Sequence, residues 1–299
     1  MTIRMSHMFF LTYLYRKVVV LLLRVIVGRR SPIPKPDQIY QIQSRDPRRN
    51  IKAHIYKSEA ASVPAPVLIN FHGSGFVFPF HGQDDEFCRL MSQRTGYTVL
   101  DVQYRLAPEN PFPAALNDVE DVVNWVLQQP DKFDRARVAL SGFSAGGNLA
   151  LAASSTLFPR ETFYAVISFY PPVDLYTEPG SKTAPDPAGK PLAAPLARFF
   201  DQCYIPSSHN PKDPRISPYY ARADCFPDRV LIITAAGDNL APEAEQLAVK
   251  IRDEAGREVV SARMDGCNHG WNVSPKNAVE RDARDKAYDM VAAMLDGRC

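Results

Sequence analysis

Along most of this chain, short apolar runs alternate with longer stretches of helical periodicity. The runs around Val67, Val99, Val138, Val166 and Val230 are dominated by aliphatic residues, as strands covered on both faces are. Residues 85–94, 114–129, 145–157, 241–255 and 277–295 instead carry apolar positions along one face and predict helices. Strands alternating with helices in this way predict a mostly parallel central sheet with helices on both faces. Two segments break the pattern. Residues 8–27 are almost wholly apolar, and a proline-rich stretch from Pro179 to Pro227 precedes the run at Val230.

Chemistry enters where the run at Val138 ends. Gly142-Phe143-Ser144-Ala145-Gly146-Gly147 places a serine between an apolar strand and a run of small helix formers, the layout of a nucleophile elbow. Such a turn strains the serine backbone, and glycines two residues either side relieve the crowding. Ser144 Oγ then stands above the sheet, with a helix N-terminus behind it that favours developing negative charge. A plain glycine-rich turn would produce the same five-residue match. The functional reading gains weight from His72-Gly73-Ser74-Gly75-Phe76, directly after the apolar run at 67–71. Small residues there let the backbone N–H groups of Ser74 and Gly75 turn toward a substrate carbonyl, beside the N–H of Ala145, as an oxyanion hole. Downstream, the strand at 230–234 leads into Asp238, and the next strand at 259–264 leads into His269. Serine, acid and histidine thus follow in the chain order of an α/β-hydrolase triad. His7, His54, His81 and His209 lack that strand-end setting, and His72 belongs to the oxyanion loop. Glu243, the rival acid, falls inside the helix predicted from Ala241, with its side chain expected to point away from the sheet edge.

With these pieces in order the chain resembles the hormone-sensitive-lipase-like carboxylesterases of the α/β-hydrolase fold. The resemblance spans roughly residues 60–295 and rests on the His72-Gly73 loop, the elbow with its extra Gly147, Asp238 and His269. It also rests on Tyr104-Arg105-Leu106-Ala107-Pro108-Glu109, followed by Pro111-Phe112-Pro113-Ala114-Ala115. It implies an α/β fold with a helical cap, divided into an N-terminal amphipathic or cap segment (1–50) and a catalytic domain (51–299) with a cap insertion at about 176–226. The cap aromatics Phe199, Phe200, Tyr204, Tyr219 and Tyr220 are candidates to roof an acyl or alcohol pocket, with plain cap packing as the alternative for each. Arg105, Glu109 and Asp118 would brace loops beneath the site. The implied activity is hydrolysis of small apolar esters by a Ser144–His269–Asp238 triad through an acyl-enzyme, without metal or cofactor. Acyl transfer or cyclisation by the same triad is an alternative, as is a non-catalytic small-molecule receptor. Retention of His269 favours the enzyme over the receptor. Phe76, Phe143 and Trp271, beside the catalytic loops, are the candidate pocket residues, joined by Phe78 and Phe80. Two positions depart from the family: Ser74 stands where glycine is usual, and Phe143 where an acidic residue often stands.

Composition narrows the rest. The 299 residues, 45% hydrophobic and 23% charged, fit one large globular unit. Cys88, Cys203, Cys225, Cys267 and Cys299 are odd in number and without metal-ligand spacing, which predicts reduced thiols and a cytoplasmic setting, with Cys267 near enough to His269 to be a thiol-reagent inhibition site. The net charge of +2 gives no reason to expect a nucleic-acid partner, and it hides an asymmetry. Residues 1–50 hold ten Lys or Arg and two Asp, a net of +8, which leaves −6 for the remainder. Lys17 and Arg24, seven residues apart, share a helical face within residues 8–27. That segment is therefore read as a helix lying on a membrane surface as a peripheral contact, or as one packed on the enzyme's own cap. No small-residue cleavage site precedes Gly28-Arg29-Arg30, which argues against a secretory signal. The sequence leaves the oligomeric state open.

Overall fold

A computed structural model describes residues 2–27 and 33–298. Gly28, Arg29, Arg30 and Cys299, which enter the readings above, lie outside the described residues, as do the side chains of residues 8–10. Eight strands form one sheet: β1 (Gln38–Gln43), β2 (Asn50–Tyr56), β3 (Ala65–Phe71), β4 (Thr98–Val102), β5 (Phe133–Phe143), β6 (Ala165–Phe169), β7 (Arg229–Ala235) and β8 (Glu258–Met264). Their spatial order is β1-β2-β4-β3-β5-β6-β7-β8. β2 runs antiparallel to both neighbours, and every pairing from β4 to β8 is parallel.

Strand alternation sorts the apolar residues into two layers. Val67, Ile69 and Phe71 of β3 face one core with Val138 and Leu140 of β5, whereas Leu68 and Ala139 face the other. The first core is covered by α3 (Ala114–Leu127), α4 (Ala145–Thr156) and α6 (Ala241–Ala255); the second is covered by α2 (Asp85–Arg94) and α7 (Ala278–Leu295). The remaining helices, α1 (Thr2–Val27) and α5 (Ala194–Tyr204), come from the chain segments that broke the sequence pattern and add Val20, Phe200, Cys203 and Tyr204 to the first core. Between β6 and β7 the chain forms no strand; besides α5 it makes only short 3-10 turns, at Pro179–Ser181, Pro218–Tyr220 and Ala223–Cys225.

The hairpin β1–β2 was not expected from the sequence. Only Ile42 of β1 is buried in the core, as befits an edge strand, so the apolar signal there is weak. The sheet accordingly reaches back to Gln38, and a boundary after residue 50 would separate β2 from its partner.

Strand order reverses at β3, whose successor β4 lies on one side and β5 on the other. In open parallel sheets that reversal opens a crevice at the C-terminal strand ends. The loops leaving β3 and β5 there are the glycine-rich ones. Beneath them Asp118 of α3, fully buried, takes two bonds of 2.7 Å from the Arg49 guanidinium and a 2.8 Å bond from the Arg105 backbone N–H. Arg105 also reaches Asp46 at 2.6 Å. Removing one partner of such a buried network strands charge, so Asp118→Ala is expected to lower stability by roughly 3–5 kcal/mol in urea unfolding. The exposed Asp289, paired with Arg94, is the control: Asp289→Ala is expected to change stability by less than about 1 kcal/mol.

Candidate active site

The turn from β5 to α4 is as tight as its sequence demands. A Cβ on Gly142 would sit 2.2 Å from the Gly146 carbonyl oxygen, and one on Gly146 would sit 1.9 Å from that of Phe71. Neither position tolerates a side chain, because α4 starts directly against the ends of β3 and β5. Ser144 bridges the two elements at φ 50° and ψ −117°, a strained conformation for a residue with a side chain. Its N–H donates to the Phe169 carbonyl at 2.8 Å, and its carbonyl accepts the Asn148 N–H at 3.0 Å.

Two further strand ends deliver the partners of this serine. Asp238 follows β7 and is buried; its Oδ1 accepts the Leu240 N–H at 3.1 Å, leaving Oδ2 to face the His269 ring. His269 follows β8, with Nδ1 2.6 Å from Asp238 Oδ2 and Nε2 2.9 Å from Ser144 Oγ. Because a carboxylate only accepts, Nδ1 carries the ring proton and Nε2 is free to accept from the serine hydroxyl. Tyr170, at φ 39°, sets its ring edge-on to His269 at 4.7 Å, and its hydroxyl donates to Asn272 at 2.5 Å. Glu243 is turned elsewhere. It accepts the Val173 and Asp174 N–H groups and pairs with Lys182 at 2.6 Å. Burial pushes its carboxyl up to about 7, against the pull of Lys182.

The loop after β3 is held by side-chain contacts that the sequence did not reveal. Tyr104 OH donates to the His72 carbonyl at 2.6 Å, so Ser74 Oγ, 2.7 Å away, donates to Tyr104 and accepts the Phe76 N–H at 2.8 Å. Where the resembling family has glycine, this hydroxyl closes a fully satisfied buried network. The His72 ring stacks on Tyr104 at 4.4 Å, and burial lowers its pKa to about 3, so it stays neutral. Among the described residues, the N–H groups of Ser74 and Gly75 have no backbone acceptor, and Ala145 N–H heads α4, where no intrahelical acceptor exists. These are the three donors expected of an oxyanion hole.

Ser144, His269 and Gly73 to Phe76 open onto one cavity of about 270 Å³. Phe78, Phe80 and Phe200 join its walls. Tyr204 backs it instead, stacked on Phe76 at 3.7 Å. Phe143 and Trp271 do not line it, and here the sequence expectation is corrected. Phe143 precedes the elbow, so strand alternation turns its ring to the opposite face of the sheet, against Phe169 and Phe87 at 4.5 and 5.0 Å. Trp271 is buried against Tyr170 at 5.1 Å. Asp201 of α5 also lines the cavity, a carboxylate that the sequence did not flag.

The sequence also gave no warning of a second cluster, in which His54, His81 and Asp101 bring one potential metal-binding atom each within 4.8 Å of the others. The two rings face each other at 4.1 Å, and burial lowers both pKa values to about 4. Asp101 is already engaged, taking the Asn70 amide at 3.0 Å and the Gly82 N–H at 3.1 Å. These contacts give the cluster a structural role behind the oxyanion loop.

Cys88, Cys203, Cys225 and Cys267 are free thiols. Cys267, expected from its nearness to His269 to be a thiol-reagent inhibition site, is buried, and burial pushes its pKa up to about 11. Treatment of the native protein with an aromatic disulfide reagent is therefore expected to modify the partly exposed Cys225 while Cys267 stays intact, as read by peptide mass spectrometry. Rapid labelling of Cys267 would contradict its burial.

Comparison with known proteins agrees with this geometry. The alpha/beta hydrolase fold family matches residues 68–273. The chain is 29% identical to the carboxylic ester hydrolase LipN of Mycobacterium tuberculosis over 234 residues, covering 75% of this chain and 62% of LipN, less than two thirds of that relative's length. It is 28% identical to an arylesterase of Saccharolobus solfataricus, covering 71% of this chain and 70% of that one. Among solved structures it is similar to a hyperthermophilic esterase of Pyrobaculum calidifontis, with a TM-score of 0.76, 27% identity and coverage of 96% and 92% of the two chains. EstE1, a carboxylesterase cloned from a metagenomic library, also gives a TM-score of 0.76, at 28% identity and with coverage of 94% and 96%. The elbow, the strand order and these likenesses converge: the chain belongs to the alpha/beta hydrolase fold family, in its hormone-sensitive-lipase-like branch.

Proposed function

We propose that this protein is a serine carboxylic-ester hydrolase. The observation that carries the reading is the continuous chain from Asp238 Oδ2 through His269 to Ser144 Oγ, at 2.6 and 2.9 Å, opening on a cavity of about 270 Å³. In the reaction His269 Nε2 takes the hydroxyl proton as Ser144 Oγ attacks the ester carbonyl. Asp238 fixes the ring tautomer and stabilises the imidazolium. The negative charge that collects on the carbonyl oxygen is held by the N–H groups of Ser74, Gly75 and Ala145, each such donor being worth roughly 3 kcal/mol in the transition state. Collapse of the tetrahedral adduct expels the alcohol, which receives its proton from His269, and leaves an ester on Ser144. Water, deprotonated by the same ring, then releases the acid. The names and likenesses of the relatives support the same chemistry. Segment 176–226 serves this site as a cap in our reading, with α5 as the part that reaches the cavity.

On this mechanism Ser144→Ala is expected to lower kcat on a short p-nitrophenyl ester by about 10⁴-fold or more, and Asp238→Asn by a loss of similar order. The folded state of each variant is checked by circular dichroism. Near-normal turnover by Ser144→Ala would refute the assignment.

Substrate selectivity follows from Asp201. The cavity around it is mainly apolar, with Lys182 also on its wall, and the Asp201 carboxylate has no hydrogen-bond or ion-pair partner among the described residues. Burial pushes its pKa up to about 7, and the charge of Lys182 only partly opposes this. A pocket of this kind suits a small, mostly apolar ester that brings its own hydroxyl or ammonium donor, rather than the uniformly apolar ester expected from the loop aromatics. A site with an unpaired, partly buried acceptor discriminates against analogues lacking the donor. Above pH 7 the carboxyl is ionised, so the ratio of kcat/KM for a hydroxyl-bearing ester over its deoxy analogue is expected to rise as pH increases from 6 to 8. Asp201→Leu is expected to lower that ratio by about tenfold and make it independent of pH. A ratio unchanged by the substitution would remove Asp201 from recognition.

A further inference from the structure

The helix α1 is docked in an unusual sense. Two of its cationic residues point into the protein: Arg16 donates to the Gln202 carbonyl of α5 at 2.6 Å, and Arg24 donates to the carbonyls of Val77 and Ala107 at 2.8 and 2.9 Å. Arg24 also forms a two-pronged pair with Glu109, both bonds 3.0 Å. Val20, between the two arginines on the same face, is fully buried. The outward side is apolar. Leu11, Leu14, Val18, Leu21, Leu22 and Val25 are each between 46% and 63% exposed, and at 100° per residue they fall within an arc of about 100°. Monomeric soluble proteins rarely present such a continuous apolar stripe to water.

We infer that this face of α1 is a docking surface for an anionic lipid bilayer, lying in the interface parallel to the membrane plane. Three observations select that occupant. First, no helix among the described residues is long and apolar enough to cross a membrane, and Arg16 and Arg24 tie the C-terminal half of α1 to the enzyme, which opposes insertion end-on. Second, α1 carries no acidic residue, and Arg16 and Lys17 have no acidic partner among the described residues, which leaves positive charge on the helix that is complementary to an anionic surface and opposes the apposition of two copies. Third, Tyr15, 64% exposed, lies at one border of the stripe and Lys17 at the other, an amphipathic aromatic and a long cation of the kind favoured at a headgroup boundary. The face of Arg16, Val20 and Arg24 is thus the one turned to the protein, and the apolar face is what remains for lipid. Docking is independent of the ester chemistry, since none of these side chains touches Ser144, Asp238 or His269.

The test is cosedimentation of the full chain with large unilamellar vesicles of phosphatidylcholine alone or with added phosphatidylserine, together with sedimentation velocity in the absence of lipid. Expected is binding that is at least tenfold stronger to the anionic vesicles, weakened by raised salt, and equally present in Ser144→Ala. Combined substitution of Leu14→Glu, Val18→Glu and Leu21→Glu is expected to cut binding at least tenfold with esterase activity on a soluble substrate unchanged; should that variant fail to fold, Val18→Glu alone is expected to cut it at least threefold. Absence of vesicle binding by the wild type, binding unaffected by these substitutions, or equal binding to neutral vesicles would overturn the proposal. A stable dimer in solution that the substitutions dissociate would do so as well, by assigning the face to a second copy.

Discussion

Everything at this site hangs on the contact between the start of α4 and the ends of β3 and β5. The backbone of Gly146 lies so close to Phe71 that no Cβ fits between them, and Gly142 is equally closed by Gly146. That approach leaves a single residue to turn the chain from strand to helix, so Ser144 takes a positive φ and its Oγ projects from the sheet instead of packing along it. The strain is held by the N–H bond to Phe169 and by the surroundings of α4, whose residues from Ala145 to Ser155 are all buried. Small side chains along α4 are what let it sit against the sheet. The same geometry turns Phe143 to the opposite face, where it packs beneath the elbow with Phe87 and Phe169.

Burial gives the polar groups around the elbow separate tasks. Asp238 is buried but satisfied, with one oxygen on a backbone N–H and the other on His269. The network of His72, Tyr104 and Ser74 is likewise closed on itself, which fixes the loop while its N–H groups remain unspent. Asp201 is the exception, a half-buried carboxylate with an empty hand. A fold tolerates such a group at a cost, and it is in binding sites that the cost is recovered through a ligand. Lys182 and Glu243, by contrast, neutralise one another and tie the segment after β6 to α6.

Much of this was legible in the sequence, for a physical reason. The elbow and the oxyanion loop are local: their glycines, their serine and the strands that feed them lie within a few residues, so the constraint is written where it acts. Asp238 and His269 were readable because strand ends in a parallel sheet share one edge, which lets chain order stand in for proximity. Other features depended on what faces what. Phe143 and Trp271 neighbour the catalytic loops in sequence, but rotation about the strand and burial under Tyr170 take them out of the cavity. The bond between Ser74 and Tyr104 joins residues thirty positions apart, and the facing pair of His54 and His81 crosses from a strand to a loop. Asp201 looks like any surface residue of an amphipathic helix until α5 is set over the pocket. For α1 the periodicity correctly gave two faces, but apolar residues occur all round the helix, and only the contacts of Arg16 and Arg24 decide which face is inward.

The central claim is that Ser144, among all the hydroxyl and thiol groups of the chain, is the activated nucleophile. The most direct measurement is labelling of the native protein with a fluorophosphonate, followed by peptide mapping, with and without a competing ester. The account predicts one stoichiometric adduct, on Ser144, that is suppressed by the ester and absent after substitution of His269 by alanine. Adduct formation at another residue, or labelling of Ser144 that persists undiminished without His269, would contradict it.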